Sequence, residues 1–377
     1  MSIFGKSLIN LNPPIFGLDV CDRSMKAIEL QQSGKKTELK NFSYGEVPVG
    51  LVDNGEITDT KKLGEIILGV MANARPHPIK VKNVVCSVVE SRCFVRVVNV
   101  PFTKEEDLED AINLEAEEYF PLSREEMYID WQIICGDALN APKCQDNSLK
   151  DGEKLKVLIG AAPKSLIDSY LETLNGCGLN PVAIEMEPVA TVRCLVDKNY
   201  SDKNVLIVDL GGQRTSFIIA RGEAIYFTSG ISVFCGDVLT SAIARELKVS
   251  PEDAMQIKNT CGFDRNRLDG KMFKILNPYI SELVMQVRKV IAYYMEHNGE
   301  FSTGQQGGNI AKILLCGGGA SLIGLDIFMA QQLKIPVEIG NPWTNIFDKS
   351  SKKIPSISRD KSLYFSTAIG LAMQNMK

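Results

Sequence analysis

Two distant stretches of this chain repeat one pattern, and the repeat constrains the fold more than any other feature. In the first, Ile15-Phe16-Gly17-Leu18-Asp19-Val20 reads as a strand, Cys21 to Ser24 as a tight turn and Met25 to Leu30 as a second strand. In the second, Val205 to Asp209 reads as a strand, Leu210 to Arg214 as a turn and Thr215 to Ala220 as a strand. Setting Asp19 on Asp209 brings the units into step without a gap, so that Ile28 falls on Ile218 and Asp22 on Gly212. Each unit continues into a third strand: Leu39 to Tyr44 after a turn at Gly34-Lys35-Lys36, and Glu223 to Ser229 after Arg221-Gly222. Short apolar runs bounded by turn residues are the mark of buried strands. The expected fold is α/β and duplicated, two related halves facing each other.

The remaining pattern fits such a fold. Ile57 to Asn73 has helical apolar spacing, with Leu63, Ile66, Ile67 and Val70 on one face. Val81 to Val89 and Phe94 to Pro101 read as strands, the second leading to a helix over Lys104 to Phe120 with Thr103 as N-cap and Glu106 three residues on. That helix carries an acidic side (Glu105, Asp107, Glu109, Asp110, Glu117), which suits either a solvated face or a partner surface. Met127 to Cys135 and Leu155 to Ala161 read as strands around a polar loop, Gly136 to Glu153, and Ser165 to Cys177 as an amphipathic helix. In the second half, Asp237 to Leu247 is helical, and Ser250-Pro251-Glu252-Asp253 is a strong helix start. A long helix, Leu276 to Glu296, is followed by a loop to Asn309, a strand from Ile310 to Leu315 and a helix from Leu322 to Lys334. Phe365 to Gln374 closes the chain as a helix of small residues able to approach another backbone closely.

Composition excludes several classes. With 377 residues, two or three domains are expected. A net charge of −4 with no basic stripe argues against nucleic-acid binding. The ten cysteines form no CxxC pair and the two histidines, His77 and His297, lie far apart, so no structural zinc site is expected. Cysteines inside apolar runs, such as Cys86 and Cys316, behave as small hydrophobes, and reduced thiols point to the cytoplasm. No secretory leader is expected at Met1, and no apolar run approaches the ~20 residues of a membrane span.

Three segments could carry chemistry. A carboxylate at a strand end beside a tight hairpin can hold a hydrated cation while backbone N–H groups of the hairpin wrap phosphate oxygens. Gly17 to Lys26 offers this around Asp19, although Asp at a strand end is also an ordinary turn former. Val208 to Thr215 offers it again around Asp209, with Gly211 and Gly212 permitting close backbone approach and Thr215 able to donate to a phosphate. Cys316-Gly317-Gly318-Gly319-Ala320-Ser321-Leu322 places three glycines after a buried strand, which leaves room for a flat ligand and equally makes a flexible turn.

Hairpin, second hairpin and glycine triplet, in that order, resemble the ribonuclease H-like nucleotide fold shared by actin, the 70-kDa heat-shock chaperones and sugar kinases. Ile184 to Ala190 and Ser366 to Ala372 resemble the two helices that cross between the halves in that superfamily. Within it, the details resemble the PilM family of type IV pilus assembly proteins. The resemblance is carried by Phe16 to Leu30, Phe94-Val95-Arg96 through Pro101, Glu115 to Pro121, Tyr226 to Thr240, Ala254 to Lys258, Ser281-Glu282-Leu283 with Tyr293-Tyr294, and the glycine triplet. It covers nearly the whole chain.

What this resemblance implies can be stated residue by residue. Asp19 and Asp209 would hold Mg²⁺ through water. The amides of Asp22, Arg23, Ser24 and Met25 and of Gly211, Gly212, Gln213 and Arg214, with Lys26 and Thr215 nearby, would bind the phosphates of ATP. Gly236 and Asp237 would border the ribose, Lys258 would reach the nucleoside, and Gly317, Gly318, Gly319, Ala320 and Ser321 would frame the adenine. Glu187 would position an attacking water, or serve only as a helix-start carboxylate ahead of Pro188. The implied division is a first core subdomain (1–91 with 179–203 and 355–377), an inserted subdomain of the FtsA style (92–178), a second core subdomain (204–247 with 308–354) and a helical subdomain over the nucleotide (248–307). The implied role is a cytoplasmic ATP-loaded scaffold, peripheral at the inner membrane, that captures the N-terminal tail of the membrane protein PilN beside the inserted subdomain.

Two other readings stay open: a small-molecule kinase of the same superfamily, and an FtsA-like division filament. Against the kinase, no separate polar substrate-binding insertion is evident and Glu187 is the one evident base. Against the filament, the chain stops just after the closing helix, where FtsA-like proteins carry a membrane-binding helix. The chain departs from the superfamily at Cys21, where hairpins often carry glycine: a side chain narrows the approach, and a left-handed backbone there would cost about 1–2 kcal/mol. Asp22 adds negative charge that Arg23 and Arg214 offset. Nucleotide binding is expected, with slow or no hydrolysis. Leu8-Ile9-Asn10-Leu11-Asn12-Pro13 resembles the Ile-Asn-Leu-Leu-Pro type of peptide carried by PilN, which suggests a tail able to occupy the peptide groove of a neighbour, with self-association, or that of its own chain.

Overall fold

The computed structural model describes residues 13–33, 36–101, 105–134, 154–200, 202–232, 234–265, 267–298, 309–347 and 355–376. The expected turn at Gly34-Lys35, the N-cap Thr103, the loops over 136–153 and 299–308, and Leu8 to Asn12 lie outside these residues.

The first half runs β1 (Ile15–Val20), β2 (Ser24–Ser33), β3 (Lys36–Glu46), a short pair β4 (Val52–Asp53) and β5 (Glu56–Ile57), α1 (Thr60–Ala72) and β6 (Asn83–Val88). Then come β7 (Phe94–Pro101), α2 (Glu105–Tyr119), β8 (Met127–Ile133), β9 (Lys154–Pro163), α3 (Lys164–Gly176), β10 (Asn180–Met186) and α4 (Glu187–Leu195). The second half runs β11 (Asn204–Leu210), β12 (Thr215–Arg221), β13 (Ala224–Ile231), α5 (Gly236–Leu247), α6 (Pro251–Cys261), α7 (Lys271–Asn298), β14 (Ile310–Cys316), α8 (Leu325–Leu333), β15 (Val337–Ile339), α9 (Arg359–Ser362) and α10 (Ser366–Ala372).

The duplication is plain in the sheets. One has the order β10-β6-β1-β2-β3, the other β13-β12-β11-β14-β15, each the mirror listing of the same connectivity. β1 is antiparallel to β2 and parallel to β6; β11 is antiparallel to β12 and parallel to β14. The register also repeats, with Asp19 opposite Lys26 in one hairpin and Asp209 opposite Ser216 in the other. Every residue of β1 is buried, as a strand covered on both faces requires. Burying one such aliphatic side chain contributes about 1.5–3 kcal/mol.

A third sheet, β7-β9-β8, carries α2 on one face. Val98, Val100, Val157 and Ile159 pack there against Ile112, Ala116 and Phe120. The closing helix lives up to its small residues. A side chain on Gly370 would collide with the Ala190 carbonyl of α4, and one on Gly17 of β1 would meet the Ala372 amide at 2.6 Å. α10 therefore lies backbone-to-backbone against both neighbours.

Several boundaries differ from the sequence reading, each for a local reason. Ile184 to Met186 do not begin a helix: they end β10, paired in parallel with β6, and the helix starts at Glu187 with Pro188 in its first turn. Ile57 belongs to β5, because Asp59 caps α1 by accepting from the Lys62 amide at 3.0 Å. Gly324, in the left-handed region at φ 83°, delays α8 to Leu325. The long helix α7 begins at Lys271 and includes Pro278. The Ser250 cap is present, its hydroxyl accepting from the Asp253 amide at 3.1 Å.

Candidate functional site

The repeated hairpins meet across a cavity of about 490 Å³. Asp19, Cys21, Asp22, Arg23, Ser24 and Lys26 line it from the first unit, and Asp209, Gly211, Gly212, Gln213, Arg214 and Ser216 from the second. Gly317, Gly318 and Gly319 form one wall, Gly236, Asp237 and Lys258 another, and Glu187 reaches in from the start of α4. The structure thus brings together most of the residues singled out from sequence.

Four of them do not face the cavity. Met25 pairs with Val20 and is fully buried in the core of its half. Thr215 is fully buried too, its hydroxyl donating to the Phe234 carbonyl at 2.6 Å rather than to a ligand. Ala320 is buried beneath the glycine turn, and the Ser321 hydroxyl turns back to donate to the Gly318 carbonyl at 2.9 Å. Strand alternation explains the first two: neighbours Lys26 and Ser216 take the cavity side. The Gly211 amide is also committed, closing its own turn onto the Arg214 carbonyl at 2.9 Å.

Sequence reasoning missed Tyr44, Met255, Asn259, Ser216, Leu363, Tyr364, Ser366 and Thr367 among the lining residues. Met255 and Asn259 flank Lys258 at helical spacing on α6, a signal that was available. Tyr364 gave none: it enters because the Leu363–Phe365 turn sets its ring over Gly318, where a Cβ would meet the ring at 2.5 Å.

Asp19 is 3% exposed and does not act as a turn former. The Lys26 ammonium lies 3.1 Å from Asp19 Oδ2 and 3.2 Å from Cys21 Sγ, and the Ser87 hydroxyl donates to Asp19 Oδ1 at 3.0 Å. Burial opposes the Lys26 charge, but Asp19 and Cys21 outweigh it and raise its pKa. Asp209 has no such cation opposite it. Burial first, then the Asp19 charge, push its carboxyl up to about 6. Burial likewise lifts Glu187 to about 8, with Arg214 working against the shift and Asp19 and Asp209 adding to it. Cys21 sits in ordinary backbone: among the described non-glycine residues with positive φ it is absent, so its expected strain does not arise. Its thiol is held protonated by burial and by Asp19.

The ligand atoms of Asp19, Cys21 and Glu187 lie within 4.8 Å of one another. Carboxylate oxygens suit a hard divalent cation. The lining holds five carboxyl groups (Asp19, Asp22, Glu187, Asp209, Asp237), of which burial keeps Glu187 largely protonated, against four cations (Arg23, Lys26, Arg214, Lys258), so there is no surplus of positive charge for a polyphosphate and a divalent metal would supply it. Gly317, at φ 75°, is a close-approach position: any side chain would run into the Asp209 carboxylate and lie 2.7 Å from the Leu210 carbonyl. Gly319 packs in the same way on Leu210, and Gly318 lies under the Tyr364 ring, so the glycines let this turn sit tightly against its neighbours. Lys258 is braced by donating to the Gly236 carbonyl at 3.0 Å and Thr240 Oγ1 at 2.7 Å.

A family model described as type IV pilus assembly protein PilM matches residues 17–376. The chain belongs to the PilM family. The matched span takes in both hairpins, the three-stranded sheet and the glycine turn. Outside the PilM family, the cell division protein FtsA of Neisseria meningitidis serogroup B is 24% identical over 237 residues, 58% of this chain and 53% of that protein; the chain spans about half the length of this curated relative. In fold, it is similar to a PilM–PilN type IV pilus biogenesis complex, with a TM-score of 0.77 and 22% identity over 97% of this chain and 99% of that one. It is also similar to MreB5 of Spiroplasma citri bound to AMPPNP, with a TM-score of 0.51 and 13% identity over 95% and 94% of the two chains. These likenesses bear out the actin-like duplicated fold. All eight cysteines among the described residues are free thiols, and no described helix is long and apolar enough to cross a membrane.

Proposed function

We propose that this chain is an ATP-binding scaffold of type IV pilus assembly that holds the N-terminal segment of a PilN-type membrane protein, and so works on the cytoplasmic side of the inner membrane. Membership of the PilM family supports the pilus role, and a relative of the same fold is known in complex with PilN. The observation that carries the nucleotide reading is the cavity between two hairpins of identical register, each with an acid near its strand end, bordered by the Gly317–Gly319 turn.

In this reading Asp19 and Asp209 hold Mg²⁺ through water, and the metal offsets phosphate charge. The turns at Asp22 to Ser24 and Gly212 to Arg214, with Lys26, take the phosphates. Gly236 and Asp237 border the ribose, Lys258 approaches the nucleoside, and Gly317 to Gly319 face the adenine. Glu187 would orient water, yet its raised pKa leaves it largely protonated at neutral pH, which fits slow or absent hydrolysis. The inserted segment 92–178 supplies the partner surface, and the core and helical subdomains divide as the sequence suggests. Nucleotide acts as a closure ligand between the halves; at ~100 times its dissociation constant it would stabilise the fold by about 2.7 kcal/mol.

Calorimetry tests this with Mg·ATP and, separately, a PilN-type peptide, on the wild type and Asp209→Ala. The wild type should bind both, and the variant should lose most of its ATP affinity. Equal ATP affinities for the two proteins would remove the assigned site.

A further inference from the structure

Arg214 belongs to the second hairpin, but its guanidinium is committed to the first half of the molecule. Nη2 donates to Asp22 Oδ2 at 3.2 Å, while Nη1 donates to Ser91 Oγ at 2.9 Å and reaches Asn54 Oδ1 at 3.4 Å. The pair is largely shielded, with the Arg214 side chain 19% and the Asp22 side chain 12% exposed. Asp22 is fixed from behind, its Oδ1 accepting from the Gly55 amide at 2.9 Å. With its amide oriented by the surrounding donors and acceptors, Gln213 adds a further donation to Asp22 Oδ2 at 3.0 Å.

Both residues also line the cavity, at the tips of the two hairpins. An acid at position 22 is not required by the turn, since the equivalent position in the second unit is Gly212. Nor does it help a polyanion to bind. Its one strong interaction across the cleft is with a guanidinium, and a carboxylate offers that group the same planar pair of acceptors that a phosphate does.

We propose that Asp22 is a built-in counter-anion for Arg214 that competes with the terminal phosphate of a nucleoside triphosphate, so that this ion pair sets how strongly the cleft favours triphosphate over diphosphate. In the nucleotide-free protein the pair ties the hairpin tips together. A triphosphate draws Arg214 away from Asp22, and a diphosphate, lacking the terminal group, leaves the pair in place. The proposal rests on the nucleotide reading of the cleft.

Asp22→Asn tests it, because the amide keeps an oxygen for the Gly55 N–H while removing the charge that holds Arg214. Calorimetry should show Mg·ATP binding about tenfold tighter than wild type, the scale of a close charge pair, with a distinctly smaller gain for Mg·ADP. In an Arg214→Gln background the gain from Asp22→Asn should vanish. Asp22→Ser serves as a second uncharged variant, and melting without nucleotide checks that each protein folds. Unchanged or weaker ATP binding, an equal gain for ADP, or a gain that survives Arg214→Gln would overturn the proposal while leaving the site assignment standing. Silence of the wild type and every variant toward both nucleotides would instead remove the nucleotide reading, and this proposal with it.

Discussion

The Lys26 ammonium sits 3.1 Å from the Asp19 carboxylate, at the register position that Ser216 occupies opposite Asp209 in the second hairpin. The two halves share a backbone but not a charge pattern: one acid is neutralised by its own strand partner, and the other is left to burial and pushed up to about 6. The second acid has a serine, not a cation, as its partner across the hairpin.

Lys26→Met should be strongly destabilising. The side chains of Lys26 and Asp19 are 9% and 4% exposed, and removing one member of a buried pair strands the other charge, at about 3–5 kcal/mol. Chemical denaturation should register that loss, and Asp19→Asn added to Lys26→Met should recover part of it. A loss no larger than that of a surface substitution would contradict the pairing.

Glu187→Gln should stabilise the nucleotide-free protein in a pH-dependent way. The unfolded chain ionises near the ordinary glutamate value of 4.5, the folded chain only near 8. Between these values the folded state holds a proton that the unfolded state has lost, so rising pH works against folding. Glutamine escapes this. The gap in melting temperature should therefore widen from about pH 5 to about pH 8 and then level off; a constant gap would count against the burial of a raised carboxyl here.

Gly370→Ala should cost about 1–3 kcal/mol or more, because the added methyl collides with the Ala190 carbonyl of the crossing helix, backbone that cannot swing aside. Gly69→Ala in α1 is the control. Nothing lies within 4 Å of its added Cβ, and helix propensity alone should bring a gain of up to about 1 kcal/mol. Thermal melts of opposite sign would establish the close approach.

Tyr170→Phe should cost about 1 kcal/mol. The buried Tyr170 hydroxyl donates to the Gly55 carbonyl at 3.1 Å, and the Gly55 amide in turn holds Asp22. Equilibrium unfolding measures the loss, and no change would mean that water replaces the phenol at Gly55.

Much of the hairpin geometry was legible because side chains alternate along a strand, so two apolar runs aligned without a gap must adopt one register. The same alignment already paired Met25 with Thr215 and Lys26 with Ser216. Reading it one residue further would have put Thr215 in the core and Ser216 in the cleft. β10 and β15 were less legible. Each pairs in parallel with a strand brought up by a long connection, and their local pattern does not separate them from a helix start or a loop.

The sequence by itself determined the duplication, the acids at the two strand ends and the small-residue contact of the closing helix, since each follows from local periodicity or residue size. Only the tertiary structure decided which cation answers which acid. Arg214 crosses to Asp22, and Tyr364 comes to lie on Gly318. Those pairings depend on how far apart the halves close, and burial, which sets the charge states of Glu187 and Asp209, exists only once the chain has closed.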